Sequence, residues 1–131
     1  MPVFRYDYKQ VTKLPPNKQA FVLPRFRILH GKEIALGPGK ADLLHAIGET
    51  NSLRLAARQL HMSYMRAWKL LQTMNHCFRK PLAVTIRGGQ KGGHTELTVE
   101  GKRVLRLYIK MQKLSKRETR RYWQAILNEL K

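Results

Sequence analysis

Acidic residues are scarce in this chain. Eight Asp and Glu stand against 26 Lys and Arg in 131 residues, so the formal net charge is +18 at pH 7. Such a surplus attracts polyanions, and the attraction falls steeply with salt. Cysteine is nearly missing as well. Cys77 is the only one, so no internal disulfide can form, and a reducing compartment is expected. No apolar run reaches membrane-spanning length, and residues 1–10 lack the continuous hydrophobic stretch of a signal peptide. A cytoplasmic protein, associated with the bacterial nucleoid and binding no membrane, is the expectation. The shortage of carboxylates leaves no paired acidic motif and no nucleophile with an oriented base, so no catalytic residue is expected. His30, His45, His61, His76 and His94 are scattered, and His76 and Cys77 would project differently from one helix. No metal site and no cofactor are therefore expected.

What is present has an order. Leu53 to Gln72 reads as a helix-turn-helix, followed by the glycine-rich stretch Gly88-Gly89-Gln90-Lys91-Gly92-Gly93. Ser52 can cap a first helix running to Leu60, and Ser63 can start a second. Ala57 and Ala67 supply small residues where the two helices cross. His61 occupies the turn position that usually takes glycine, and histidine tolerates a left-handed backbone better than most side chains. Tyr64, Ala67, Trp68, Leu71, Met74, Asn75 and Phe78 fall at steps of three and four, which predicts one inward face. Arg66, Lys69 and Thr73 lie opposite, with Met65 and Gln72 flanking. Arg66 or Lys69 can donate to guanine, and Met65 can meet a thymine methyl.

Around that centre, residues 1–24 read as an N-terminal arm, either a loose terminus or one reaching a DNA groove or a partner subunit. Arg25 to His30 and Glu33 to Leu36 read as short strands about Gly31-Lys32. Pro38 suits the first turn of a helix to about Glu49, with Leu43, Leu44 and Ile47 inward. Pro81 opens a wing in which Leu82, Val84 and Ile86 alternate with Ala83, Thr85 and Arg87, predicting a half-buried strand. The glycines let the hairpin turn and approach a phosphate. A nucleotide-binding loop fails on context, because no Gly-Lys-Ser/Thr follows and no helix starts directly behind. Thr98 can cap a last helix reaching Leu130, which at thirty residues would run ~45 Å. Its apolar positions Val104, Tyr108, Met111, Trp123 and Leu127 persist past the basic run Lys113 to Arg121. That predicts dimerisation through this helix, the alternative being a fold-back onto the same domain.

The runs Asn51-Ser52-Leu53, Ala56-Ala57-Arg58-Gln59-Leu60, Met62-Ser63-Tyr64, Ala67-Trp68, Met74-Asn75, Gly88-Gly89 to Gly92-Gly93, and Leu97-Thr98 to Gly101 resemble a known family. They match the N-terminal domain of ModE-type, molybdate-dependent transcription regulators from about Leu36 to Lys113. DNA-binding domains of LysR-type regulators share only the Ala-Ala-Arg-Gln-Leu-His run. The resemblance implies a winged helix that dimerises through its terminal long helix and binds operator DNA. Full-length members carry a molybdate-binding module that is not expected here, so no oxyanion site and no small-molecule effector are assigned.

The expected fold is mostly α with a small β wing: a winged helix-turn-helix over 25–98 and a C-terminal dimerisation helix over 99–131. The expected function is a non-enzymatic, sequence-specific regulator binding double-stranded DNA as a homodimer. A low-specificity nucleoid-associated or RNA-binding protein is the alternative. The expected DNA contacts are Ser63, Tyr64, Met65, Arg66, Lys69, Thr73, Arg87, Lys91 and His94.

Overall fold

The computed structural model describes residues 20–88 and 93–131. Its elements run β1 (Ile28–His30), β2 (Glu33–Leu36), α1 (Pro38–Thr50), α2 (Leu53–Gln59), α3 (Tyr64–Cys77), β3 (Ala83–Ile86), β4 (His94–Leu97), α4 (Val99–Glu118) and α5 (Arg120–Asn128). They form two units: Arg27–Tyr108, and the segment ending at Phe26 together with Ile109–Lys131.

Within Arg27–Tyr108, local chemistry accounts for most boundaries. Gly31 sits at φ +63 between β1 and β2, which pair antiparallel with Leu29 opposite Ile34 and His30 opposite Glu33. α1 opens on Pro38, whose missing amide costs nothing in a first turn. It stops at Asn51, left-handed at φ 53, whose N–H returns to the Ile47 carbonyl at 2.8 Å. Leu36, Leu43, Leu44, Ile47, Met74 and Leu82 are fully buried and make the core. Each such side chain contributes roughly 1.5–3 kcal/mol relative to exposure.

β3 and β4 pair antiparallel from Ala83 opposite Leu97 to Ile86 opposite His94. The expected inward alternation of Leu82, Val84 and Ile86 holds only at its start. Leu82 and Ala83 are both buried, Val84 is half-buried and Ile86 is exposed. Two backbone bonds fix the hairpin: the Thr95 N–H reaches the Asn51 carbonyl at 3.1 Å, tying β4 to the end of α1, and the Thr98 N–H reaches the Leu82 carbonyl at 3.0 Å, closing the hairpin's base. At the far end of the described ladder both members of the last pair, Ile86 and His94, are exposed.

Thr98 caps α4 as expected, its hydroxyl accepting from the Gly101 N–H at 2.9 Å. The single helix expected to reach Leu130 is instead two, interrupted at Thr119 (φ −100, ψ 6). The Thr119 hydroxyl donates back to the Ser115 carbonyl, a bond that bends helices. The Trp123 indole then donates to the Lys116 carbonyl at 2.8 Å, satisfying a group the interruption would orphan. In the same unit Gln112, 1% exposed, donates to the Pro24 carbonyl at 3.0 Å, so the end of the proposed arm is held. Among the described residues, no helix is long and apolar enough to cross a membrane.

Candidate nucleic-acid interface

The helix-turn-helix is built by two serine caps and one left-handed histidine. The Ser52 hydroxyl accepts from the Leu55 N–H at 3.1 Å, and that of Ser63 accepts from the Arg66 N–H at 3.1 Å. Between them α2 ends in a Schellman turn: the Met62 N–H bonds to the Ala57 carbonyl at 3.0 Å, and the His61 N–H to that of Arg58 at 3.1 Å. His61 supplies the required left-handed backbone at φ 55. Ala57 and Ala67, 2% and 0% exposed, let the two helices approach closely.

α3 sorts its residues by face. Ala67, Leu71 and Met74 point inward and are buried. Ser63, Met65, Arg66, Lys69 and Gln72 are exposed. Ser63, Met65, Arg66, Lys69, Leu70 and Thr73 line a shallow groove on that side. Thr73 is half-buried, and its hydroxyl donates to the Lys69 carbonyl at 3.0 Å, so it faces a ligand only as an acceptor. Two expected inward residues are not inward: Tyr64 is 52% exposed and Trp68 43% exposed. The buried stripe centres on small and linear side chains that meet α2 and the core, and both aromatics lie past its edge.

Asn75, expected within the apolar face, has a different task. Its side-chain amide donates to the Ala83 carbonyl at 3.0 Å, and its oxygen accepts from the Leu82 N–H at 2.8 Å. It thereby clamps the base of the wing to α3. A lone amide in an otherwise apolar stripe is the sequence signal for such a clamp, because a half-buried amide needs partners. Gly101 completes the joint: a Cβ there would lie 1.9 Å from the Leu82 carbonyl oxygen. A glycine in a helix's first turn is the corresponding signal.

On the wing, Arg87 is exposed. Lys91 lies outside the described residues. His94 is exposed, with Nε2 3.3 Å from a Glu96 carboxylate oxygen, so any anion it meets competes with that acid. At the start of α4 the Glu100 carboxyl is held below its usual range, first by a hydrogen bond from its own backbone amide and then by Lys80, 3.4 Å away. Cys77 is half-buried at the end of α3. Among the described residues, no group of three or more His, Cys, Asp or Glu side chains could hold a metal ion.

The residues expected to dimerise divide. Tyr108 is 2% exposed and engaged within the chain, so it leaves little surface for a second copy. Val104, Met111, Trp123 and Leu127 are half-buried. On α5 the exposed apolar side chains are Tyr122 and Ile126, with Leu130 just beyond. Arg120 lies over the Trp123 ring and Arg121 over that of Tyr122, at 5.8 and 5.6 Å from the ring centres.

No protein-family model matches the chain. It is 39% identical over 74 residues to the molybdenum transport protein ModE of Azotobacter vinelandii, a match covering 56% of this chain and 27% of the relative. It is 37% identical over 73 residues to the molybdenum-pterin-binding protein MopB of Rhodobacter capsulatus, covering 56% of this chain and 27% of that protein. The DNA-binding transcriptional dual regulator ModE of Escherichia coli K12 is 32% identical over 71 residues, 54% of this chain and 27% of that protein. The chain thus spans about a quarter of the length of these relatives. Among solved structures, the CbnR DNA-binding domain in complex with DNA superposes with a TM-score of 0.52 at 22% identity, over 67% of this chain and 95% of that one. That likeness shows the fold, a winged helix-turn-helix. Over some seventy residues, the chain is similar in sequence to these ModE and Mop proteins.

Proposed function

We propose that this chain is a sequence-specific transcription regulator that binds double-stranded DNA as a homodimer. One observation carries the reading. α3 turns Met65, Arg66 and Lys69 outward on an exposed face, while its opposite face is locked in the core by Ala67, Leu71 and Met74. A rigid helix with cations and an apolar side chain on its free face has what the major groove asks for: bidentate donors for guanine and a contact for the thymine methyl. Ser63 and Tyr64 at the start of α3, and Thr73 farther along it, border that face. Arg87, Lys91 and His94 on the wing add backbone contacts, and the net charge of +18 supplies long-range attraction. The relative named as a DNA-binding transcriptional regulator supports the reading, as does the neighbour solved with DNA. Pairing of two copies through Val104, Met111, Trp123 and Leu127 would match two-fold operators. The exposed apolar side chains of α5, Tyr122 and Ile126, are further candidates for that contact.

The experiment is selection of bound fragments from a bacterial genome, followed by competition of the best site against random duplex. A specificity ratio of about a thousand or more is expected. In that assay Arg66→Ala and Lys69→Ala each weaken specific binding by about 1–3 kcal/mol and relax base preference. Equal losses on operator and random DNA would make both residues phosphate contacts. Near-equal binding of all duplexes and of RNA by the unaltered chain would establish the low-specificity alternative.

A further inference from the structure

Tyr64 and Trp68 are large aromatic side chains left exposed on a helix whose neighbouring face is packed. They stand one turn apart, and Asn75 continues their line. At 100° per residue, positions 64, 68 and 75 fall within a sector of roughly 40°. Asn75 grips Leu82 and Ala83 at the base of the wing. The aromatic flank is therefore the flank of α3 on which the wing is mounted, and it lies to one side of the Arg66–Lys69 face. Among the described residues, neither the Tyr64 phenol nor the Trp68 indole has a hydrogen-bond partner. The other tryptophan, Trp123, is half-buried and spends its N–H on the Lys116 carbonyl.

A helix with its side chains is about 10–12 Å across, and the major groove is about 12 Å wide. A helix seated there touches base edges with one face and a sugar–phosphate wall with each flank. The wing is mounted on one of those flanks, and the wall on that side is the one the aromatic pair would face. Indole and phenol suit it, with an apolar body for deoxyribose and one uncharged donor for a phosphate oxygen.

We propose that Tyr64 and Trp68 form a neutral clamp on this sugar–phosphate wall, the rings lying on deoxyribose and the O–H and N–H donating to phosphate. The proposal rests on the reading of α3 as a recognition helix. It assigns the pair to positioning the helix, and leaves base choice to Arg66 and Lys69.

The test uses the full chain with operator and random duplexes across a salt series. Tyr64→Phe keeps the ring and removes only the donor, and Trp68→Phe keeps a smaller ring and removes the donor. Each is expected to lower affinity about ten-fold for every duplex, the scale of one hydrogen bond to a charged group. The slope of log affinity against log salt stays unchanged, because an uncharged donor displaces no counterion. Trp68→Ala loses more, through the lost ring. Thermal melts of the two Phe variants match the parent chain, which separates a contact from a structural role. Wild-type affinity in both Phe variants overturns the clamp, as does a reduced salt slope. So does a loss of affinity that tracks a change in oligomeric state, which would place the aromatics against a second protein copy. Failure of the unaltered chain to bind any duplex would instead overturn the DNA reading on which the clamp depends.

Discussion

Two glycines in helix interiors should respond to alanine with opposite signs. Gly101 lies in the first turn of α4, where a Cβ would meet the Leu82 carbonyl oxygen at 1.9 Å and its carbon at 2.8 Å. Ordinary contact begins at 3.4 Å, so the helix and the wing base must part by about 1.5 Å, an overpacking that costs about 1–3 kcal/mol. The displaced carbonyl is the acceptor for the Thr98 N–H at 3.0 Å and shares the Thr98 hydroxyl, at 3.2 Å, with the Pro81 carbonyl at 2.7 Å. Losing both adds about 2 kcal/mol. Alanine's better helix propensity returns about 1 kcal/mol, leaving a net loss of about 2–4 kcal/mol for Gly101→Ala. Gly48, inside α1, is the control. Its Cβ would lie 3.1 Å from Leu97 Cδ1, the end of a side chain that can turn away. Gly48→Ala should be neutral, or stabilising by up to about 1 kcal/mol. Urea unfolding followed by circular dichroism reads both. For an m-value near 2 kcal/mol/M, the Gly101→Ala midpoint falls by about 1–2 M with m unchanged. If Gly101→Ala unfolds at the parent midpoint or above it, the close approach of helix and wing base is not real.

Two further outcomes follow from the joint between α3 and the wing. Asn75→Ala removes both amide bonds and leaves the Leu82 N–H without its partner, so stability should fall by about 1–3 kcal/mol in the same urea assay. Weaker DNA affinity should accompany it, since the wing loses its anchor. Glu100 carries a pH signature. Its carboxyl is held below the usual range by its own backbone amide and then by Lys80. The stability it contributes is therefore complete above the ordinary carboxylate pKa and lost as pH falls through the lowered one. Glu100→Gln should flatten that acid limb in melts from pH 2 to 6, and an unchanged limb would show that the carboxylate has no partner in solution.

Residues adjacent in the chain determined the caps, turns and helix starts. Ser52, Ser63 and Thr98 act on amides three positions ahead, Pro38 opens its own helix, and His61 adopts the backbone its own turn requires. Such effects span only a few residues, so the order of strands, helix-turn-helix and wing was legible from the sequence. The outward face of Met65, Arg66 and Lys69 was legible for the same reason: helical periodicity separates it from Ala67, Leu71 and Met74. How far a buried stripe extends is another matter, because that depends on what lies across from it. Tyr64 and Trp68 share the period of the core but stand past the edge of the contact, and Ile86 continues a strand alternation where the body has ended. Tyr108, periodic with positions read as an interface, is withdrawn into the chain itself. The break at Thr119 rests on an indole seven residues from the carbonyl it satisfies, and the clamp of Asn75 on a strand that follows in sequence but folds back alongside. Periodicity assigns a residue to a face. Only the tertiary structure decides whether that face meets protein, because burial belongs to pairs of surfaces and not to one segment.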